Sequence, residues 1–117
     1  MPHEFLLDYL YPLAPHVKRM FGMHAVYVGE YFYLVTRKNE KNPLDNGIWI
    51  ATNIEYHDSL KAQFPSLINM TVYKIKKWLV LPVEASDFEE VAIAICELIK
   101  SGDPRIGVLP KPKKKKK

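Results

Sequence analysis

Two strand-forming stretches, residues 24–28 and 31–37, are separated only by Gly29-Glu30. Both are rich in β-branched and aromatic side chains. Glycine at the first position of a two-residue connection suits a type II′ turn, which predicts a tight antiparallel hairpin. Such a turn dictates register: Val28 opposite Tyr31, Val26 opposite Tyr33 and His24 opposite Val35. Side chains alternate along a strand. One face is then expected to carry Val26, Val28, Tyr31, Tyr33 and Val35, the other Ala25, Tyr27, Phe32 and Leu34. A sheet facing water normally alternates apolar with polar residues, and neither face of this hairpin does.

The flanking segments supply what packs on the hairpin. Residues 2–13 carry a helical stripe at Phe5, Leu6, Tyr9, Leu10 and Leu13, closed by Pro12 and Pro15. Residues 16–22 read as a connector. Asp45-Asn46-Gly47 signals a turn into a third strand, with Ile48 and Ile50 on one side and Trp49 and Ala51 on the other. A second helix holds Tyr56, Leu60 and Phe64, with Thr52 or Asn53 as its cap and Pro65 as its stop. Residues 67–83 read as two strands, around 68–75 and 78–82. The last helix has a capping box at Ser86 and Glu89. Its stripe is Phe88, Val91, Ala92, Ile95, Leu98 and Ile99, and Gly102 ends it. The expectation is a two-layer α+β domain over residues 1–106. It holds an antiparallel sheet of about five strands in the order helix, three strands, helix, two strands, helix, with a flexible basic tail at 107–117.

Charge narrows the function. The chain has 17 Lys and Arg against 13 Asp and Glu, but Lys111, Lys113, Lys114, Lys115, Lys116 and Lys117 supply six of the 17. Residues 1–110 thus carry 11 basic and 13 acidic groups, which excludes a binder whose whole surface is basic. The lysine tail is the one strong electrostatic feature; it suits contact with phosphate backbones or anionic lipid, and equally a merely solubilising segment. Lys74, Lys76 and Lys77 interleave with Tyr73 and Trp78, a mixture that also occurs on single-strand nucleic-acid binders and on ordinary half-buried strands. Cys96 is the single cysteine, so no intramolecular disulfide forms. It falls beside the apolar stripe of the last helix and reads as a small buried hydrophobe. His3, His16, His24 and His57 have no zinc-type spacing, and the five glycines form no phosphate loop. No catalytic, cofactor or metal residue is assigned. No apolar run has the length of a membrane span and no leader-like segment opens the chain, which predicts a reduced, cytoplasmic setting.

Lys18, Arg19, Met20, Phe21 and Gly22, followed by a strand, a glycine-containing turn and an aromatic strand, resemble the N-terminal domain of the TfoX family. The likeness covers about residues 18–52, and Met23 stands where that family usually has a second glycine. The segments Trp78-Leu79-Val80-Leu81-Pro82 and Asp103-Pro104-Arg105-Ile106-Gly107 are similar to those of small bacterial proteins related to that domain. The resemblance implies the two-layer fold and association with regulation of bacterial competence, and it brings no catalytic residues. On the residues alone, Met20 and Phe21 are expected to enter the core while Gly22 turns the chain, in preference to a basic loop at Lys18-Arg19 that grips an anion or partner.

The resulting expectation is a non-enzymatic interaction or regulatory module that works through protein contacts, as a homodimer. The alternative is a nucleic-acid-associated protein using the tail, with Lys18, Arg19, Lys74, Lys76 and Lys77 as further phosphate contacts. The homodimer expectation rests on the hairpin: Val26, Tyr31 and Tyr33, or Tyr27, Phe32 and Leu34, are expected to meet a second copy or line a pocket.

Overall fold

The hairpin around Gly29 forms and sits inside a larger sheet. A computed structural model of the chain describes residues 1–71 and 75–110. Its elements are α1 (Phe5–Leu10), β1 (Pro15–Met20), β2 (Met23–Val28), β3 (Tyr31–Arg37), β4 (Gly47–Ile50), a short 3₁₀ turn (Ile54–Tyr56), α2 (His57–Gln63), β5 (Ile68–Asn69), β6 (Leu79–Pro82) and α3 (Phe88–Ser101). The sheet is antiparallel and six-stranded, in the order β1-β2-β3-β4-β6-β5. The fold is α+β as expected, with one strand more than expected.

The additional strand is β1, which corrects the reading of residues 16–22 as a connector. Its register runs from Pro15↔Val28 to Met20↔Met23. The turn that joins it to β2 is Phe21-Gly22, both at positive φ (53° and 76°), as a type I′ turn requires. The first helix is shorter than its stripe and stops before Tyr11, whose extended ψ of 139° is what a following proline imposes.

The hairpin register holds only at the turn. Val28 faces Tyr31 and Tyr27 faces Phe32, but a bulge then sets Val26 opposite Leu34 and Ala25 opposite Val35. The extra residue is Tyr33. The faces are therefore re-sorted. Val26 and Leu34 join Ile48, Ile50, Leu79 and Leu81 under the helices, where Leu6, Leu10, Val91, Ile95, Cys96 and Ile99 complete the core. Ala25, Phe32 and Val35 join Met23, Trp49, Ala51 and Val80 on the other face. The division of β4, with Ile48 and Ile50 against Trp49 and Ala51, is as the alternation predicts.

Most of both faces is covered by the chain itself, which removes the reason for invoking a second copy over the whole hairpin. The cover on the second face is irregular chain: Ile75, Trp78, Met70 and Val108 pack there. The boundary expected at Ile106 moves accordingly. Gly107 N–H donates to the Ala51 carbonyl, and Val108 exchanges both backbone hydrogen bonds with Phe32. Gly107 lies against Tyr33: a Cβ there would fall 2.4 Å from a ring carbon, at a φ of +100°. The strap is set by Arg105. Its guanidinium holds both oxygens of Asp103 and reaches Ser59 and Gln63 on α2, while its carbonyl accepts the Thr52 hydroxyl.

Thr52 is thus committed to the strap and is no helix cap. Asn53 begins the 3₁₀ turn without a side-chain cap. The expected capping box at Ser86 and Glu89 also does not form. Asp87 occupies the cap position, and its carboxylate accepts the Ser66 hydroxyl at 2.5 Å. Gly102 ends α3 in the left-handed conformation, as expected. The strand expected over 68–75 is reduced to β5; Tyr73 and Lys74 lie outside the described residues, as do Lys111, Lys113, Lys114, Lys115, Lys116 and Lys117.

Candidate interaction surface at the first hairpin tip

Strands β1 and β2 end together at Phe21-Gly22, and this tip stands beside a part of the second sheet face that the described residues cover incompletely. Met20 closes β1, Met23 opens β2, and Trp49 crosses from β4. Trp49 is fully buried and its indole N–H donates to the Asp45 carbonyl at 2.9 Å. Ile75 and Trp78 lean over from the segment before β6. These five side chains and Phe21 enclose an open hollow of about 310 Å³ whose lining residues are all apolar. Methionine gives such a lining adaptability, because its unbranched thioether re-packs at little cost.

Phe21 is the exception to the expectation that Met20 and Phe21 enter the core. Met20 is half-buried, whereas Phe21 is 85% exposed. A large apolar side chain held out into water at positive φ serves neither packing nor backbone preference. Backbone strain of this kind concentrates at functional positions.

From the hollow, rings continue along the face. Trp49 and Trp78 are 6.4 Å apart, Trp78 meets Phe32 edge-on at 4.9 Å, Phe32 meets Tyr27 at 5.2 Å, and His16 stacks on Tyr27 at 5.4 Å. Lys18 lies over the Tyr27 ring, 5.3 Å from its centre. Of the hairpin residues singled out in sequence, Tyr31 is exposed beside a shallow groove with Trp78 and Val108, and Tyr27 borders another with His16 and Lys18. Val26, Leu34 and Phe32 are buried in the chain's own core.

Among the described residues the basic side chains are spread over several elements. Lys18 and Arg19 are exposed on β1, and Lys76 and Lys77 on the turn before β6. Lys100 pairs with Glu97, Arg105 with Asp103, and Lys61 with Asn69. Arg37 is buried and committed to the carbonyls of Asn42 and Leu44. Arg105 holds the Asp103 carboxyl below its ordinary range, although burial opposes the shift.

Several titratable groups have structural partners, whereas the buried Nδ1 of His24 has no hydrogen-bond partner among the described residues. His57 donates through Nε2 to the Lys77 carbonyl at 2.8 Å, pinning the turn that carries Trp78. His3 packs on Phe88, and burial together with Lys38 lowers its pKa. Cys96 is fully buried, and burial pushes its thiol up to about 12. Among the described residues no three His, Cys, Asp or Glu side chains gather as metal ligands, and no helix is long and apolar enough to cross a membrane.

The signal for this surface lies in Phe21-Gly22 itself, a two-residue turn with glycine second. Phenylalanine in the place where asparagine usually announces such a turn hides it. Trp49 and Trp78 are 29 residues apart in sequence and meet only because β4 and β6 pair. Comparison with known proteins returns no matching family model, no matching curated protein and no matching solved structure.

Proposed function

We propose that this chain is a non-enzymatic protein-interaction module, in the manner of the TfoX N-terminal domain it resembles, and that the hollow at the β1–β2 tip is its contact surface. The observation that carries this reading is Phe21: 85% exposed, at positive φ, on the rim of an apolar hollow. Aromatic anchors beside desolvated pockets are where binding energy concentrates at protein interfaces. The distribution of basic groups supports protein over nucleic acid as the partner, since several are already paired within the fold. The enclosed thiol of Cys96, pushed up by burial, argues against Cys96 as a nucleophile, because the thiolate is the reactive form.

The test is selection of displayed random dodecapeptides on the full chain, followed by titration of the synthetic winners using tryptophan fluorescence. Binders that weaken about ten-fold or more on Phe21→Ser, with the unfolding midpoint unchanged, support the reading. Binders indifferent to both Phe21→Ser and Trp78→Ala overturn it.

A further inference from the structure

β1 is an edge strand, and the backbone groups on its outer side follow from the turn. The Phe21-Gly22 connection makes Met20↔Met23 a hydrogen-bonded pair, and such pairs alternate along an antiparallel ladder. His16, Lys18 and Met20 therefore spend their N–H and C=O groups on β2. Val17 and Arg19 point theirs outward, and Pro15 has no N–H to offer. No strand lies on that side among the described residues.

The edge is charged, and with one sign. Lys18 projects over the second face against Tyr27, and Arg19, one residue on, projects to the opposite face. Neither forms an ion pair among the described residues, where the two pairs present are Lys100–Glu97 and Arg105–Asp103. Lysine and arginine on an edge deter pairing with an identical edge, because two copies would bring like charges together. The same charges favour an incoming strand of opposite sign. The strand runs directly into Met20 and Phe21, the rim of the hollow.

We infer that the occupant of this surface is an extended acidic segment of a partner protein, which adds as a seventh strand to β1 and places one apolar side chain in the hollow. This rests on the interaction-module reading. The main chain of the segment takes the free groups of Val17 and Arg19, as in other recognition by strand addition. Carboxylates on adjacent residues, which a strand directs to opposite faces, meet Lys18 on one face and Arg19 on the other. The apolar side chain meets Met20, Phe21 and Trp78.

The probes are the selected dodecapeptides and, separately, a fifteen-nucleotide oligothymidylate. The readouts are affinity for the wild type, Phe21→Ser and the pair Lys18→Glu with Arg19→Glu, and amide exchange in β1. The expected peptides carry adjacent acidic residues and bind more weakly as salt rises. They slow exchange at Val17 and Arg19 and weaken at least ten-fold on charge reversal, while the unfolding midpoint stays put. Peptides that lose affinity on Phe21→Ser but leave the Val17 and Arg19 amides unprotected overturn strand addition and leave the hollow as the contact surface. Peptides that protect those amides but ignore Phe21→Ser and Trp78→Ala overturn the hollow and leave the edge. Absence of any binder overturns both. Protection of the same amides by the oligothymidylate and not by acidic peptides also overturns the inference, in favour of nucleic acid.

Discussion

Replacing Phe21 with Asn separates stability from binding, because the two change in opposite directions. An L-residue in the left-handed region costs roughly 1–2 kcal/mol, and Asn escapes much of that through its short polar side chain. Asn-Gly is also the preferred pair for a type I′ turn. Against this stands the apolar burial that the ring provides. A Phe side chain offers roughly 200 Å², and with Phe21 85% exposed about 30 Å² is buried. At about 25 cal/mol per Å² that burial is worth about 0.8 kcal/mol, as an upper bound. The expected balance is a gain of about 0.5 kcal/mol, or about 2–4 °C in Tm for a domain of this size. Urea titration followed by tryptophan fluorescence measures it, since Trp49 and Trp78 both report on the second face. Affinity for the selected peptides is expected to fall at least ten-fold in the same protein. A stability loss above about 1 kcal/mol would show that the Phe21 ring packs as a core residue, and the functional reading of its exposure would collapse.

Other changes probe the strap and the core. Gly107→Ala drives a methyl group into the Tyr33 ring and fixes an unfavourable φ, so a loss of about 2–4 kcal/mol is expected in urea titration; a loss below about 0.5 kcal/mol would mean that residues 107–108 are not docked. The Asp103 carboxyl is held below its ordinary pKa by Arg105, so the unfolded chain binds this proton more readily. The contribution is complete above about pH 5 and is lost as pH falls through the folded pKa, so Asp103→Asn should narrow the gap to wild type below about pH 4. Parallel stability curves from pH 7 to pH 3 refute that coupling. Cys96, fully buried with its thiol pushed up to about 12, should react with a thiol reagent only at the rate of unfolding; rapid native-state labelling contradicts its placement.

What the sequence discloses is what depends on neighbours within a few residues. The α3 stripe and its Gly102 stop are local periodicity and a local backbone preference, and both are found where expected. The same holds for the alternation of Ile48, Trp49, Ile50 and Ala51, and for Gly29 at the β2–β3 turn. β1 is hidden because an edge strand tolerates Lys18 and Arg19, which break the apolar alternation by which strands are recognised. The caps at Thr52 and Ser86 are plausible chemistry pre-empted by distant partners: Arg105 takes the Thr52 hydroxyl, and Asp87, bound by Ser66, takes the cap position.

The bulge and the hollow have a common non-local origin. Tyr33 is the bulged residue, and its carbonyl accepts Ala51 N–H just where β4 gives way to the loop. Its ring occupies the space that Gly107 leaves free, so the strap can lie flat and Val108 can pair with Phe32. That docking fixes where irregular chain covers the second face: over Phe32, met from the other side by Trp78, whose turn is pinned by His57. Irregular segments have no repeating apolar face, so they cover the sheet only near such anchors. Trp78 borders both the groove that holds Val108 and the region around Met20, Met23 and Trp49, which among the described residues is met by Ile75, Trp78 and Phe21. The open hollow is thus a consequence of how the second face is closed, and Phe21 is the one residue at its rim that neither packing nor turn preference selects.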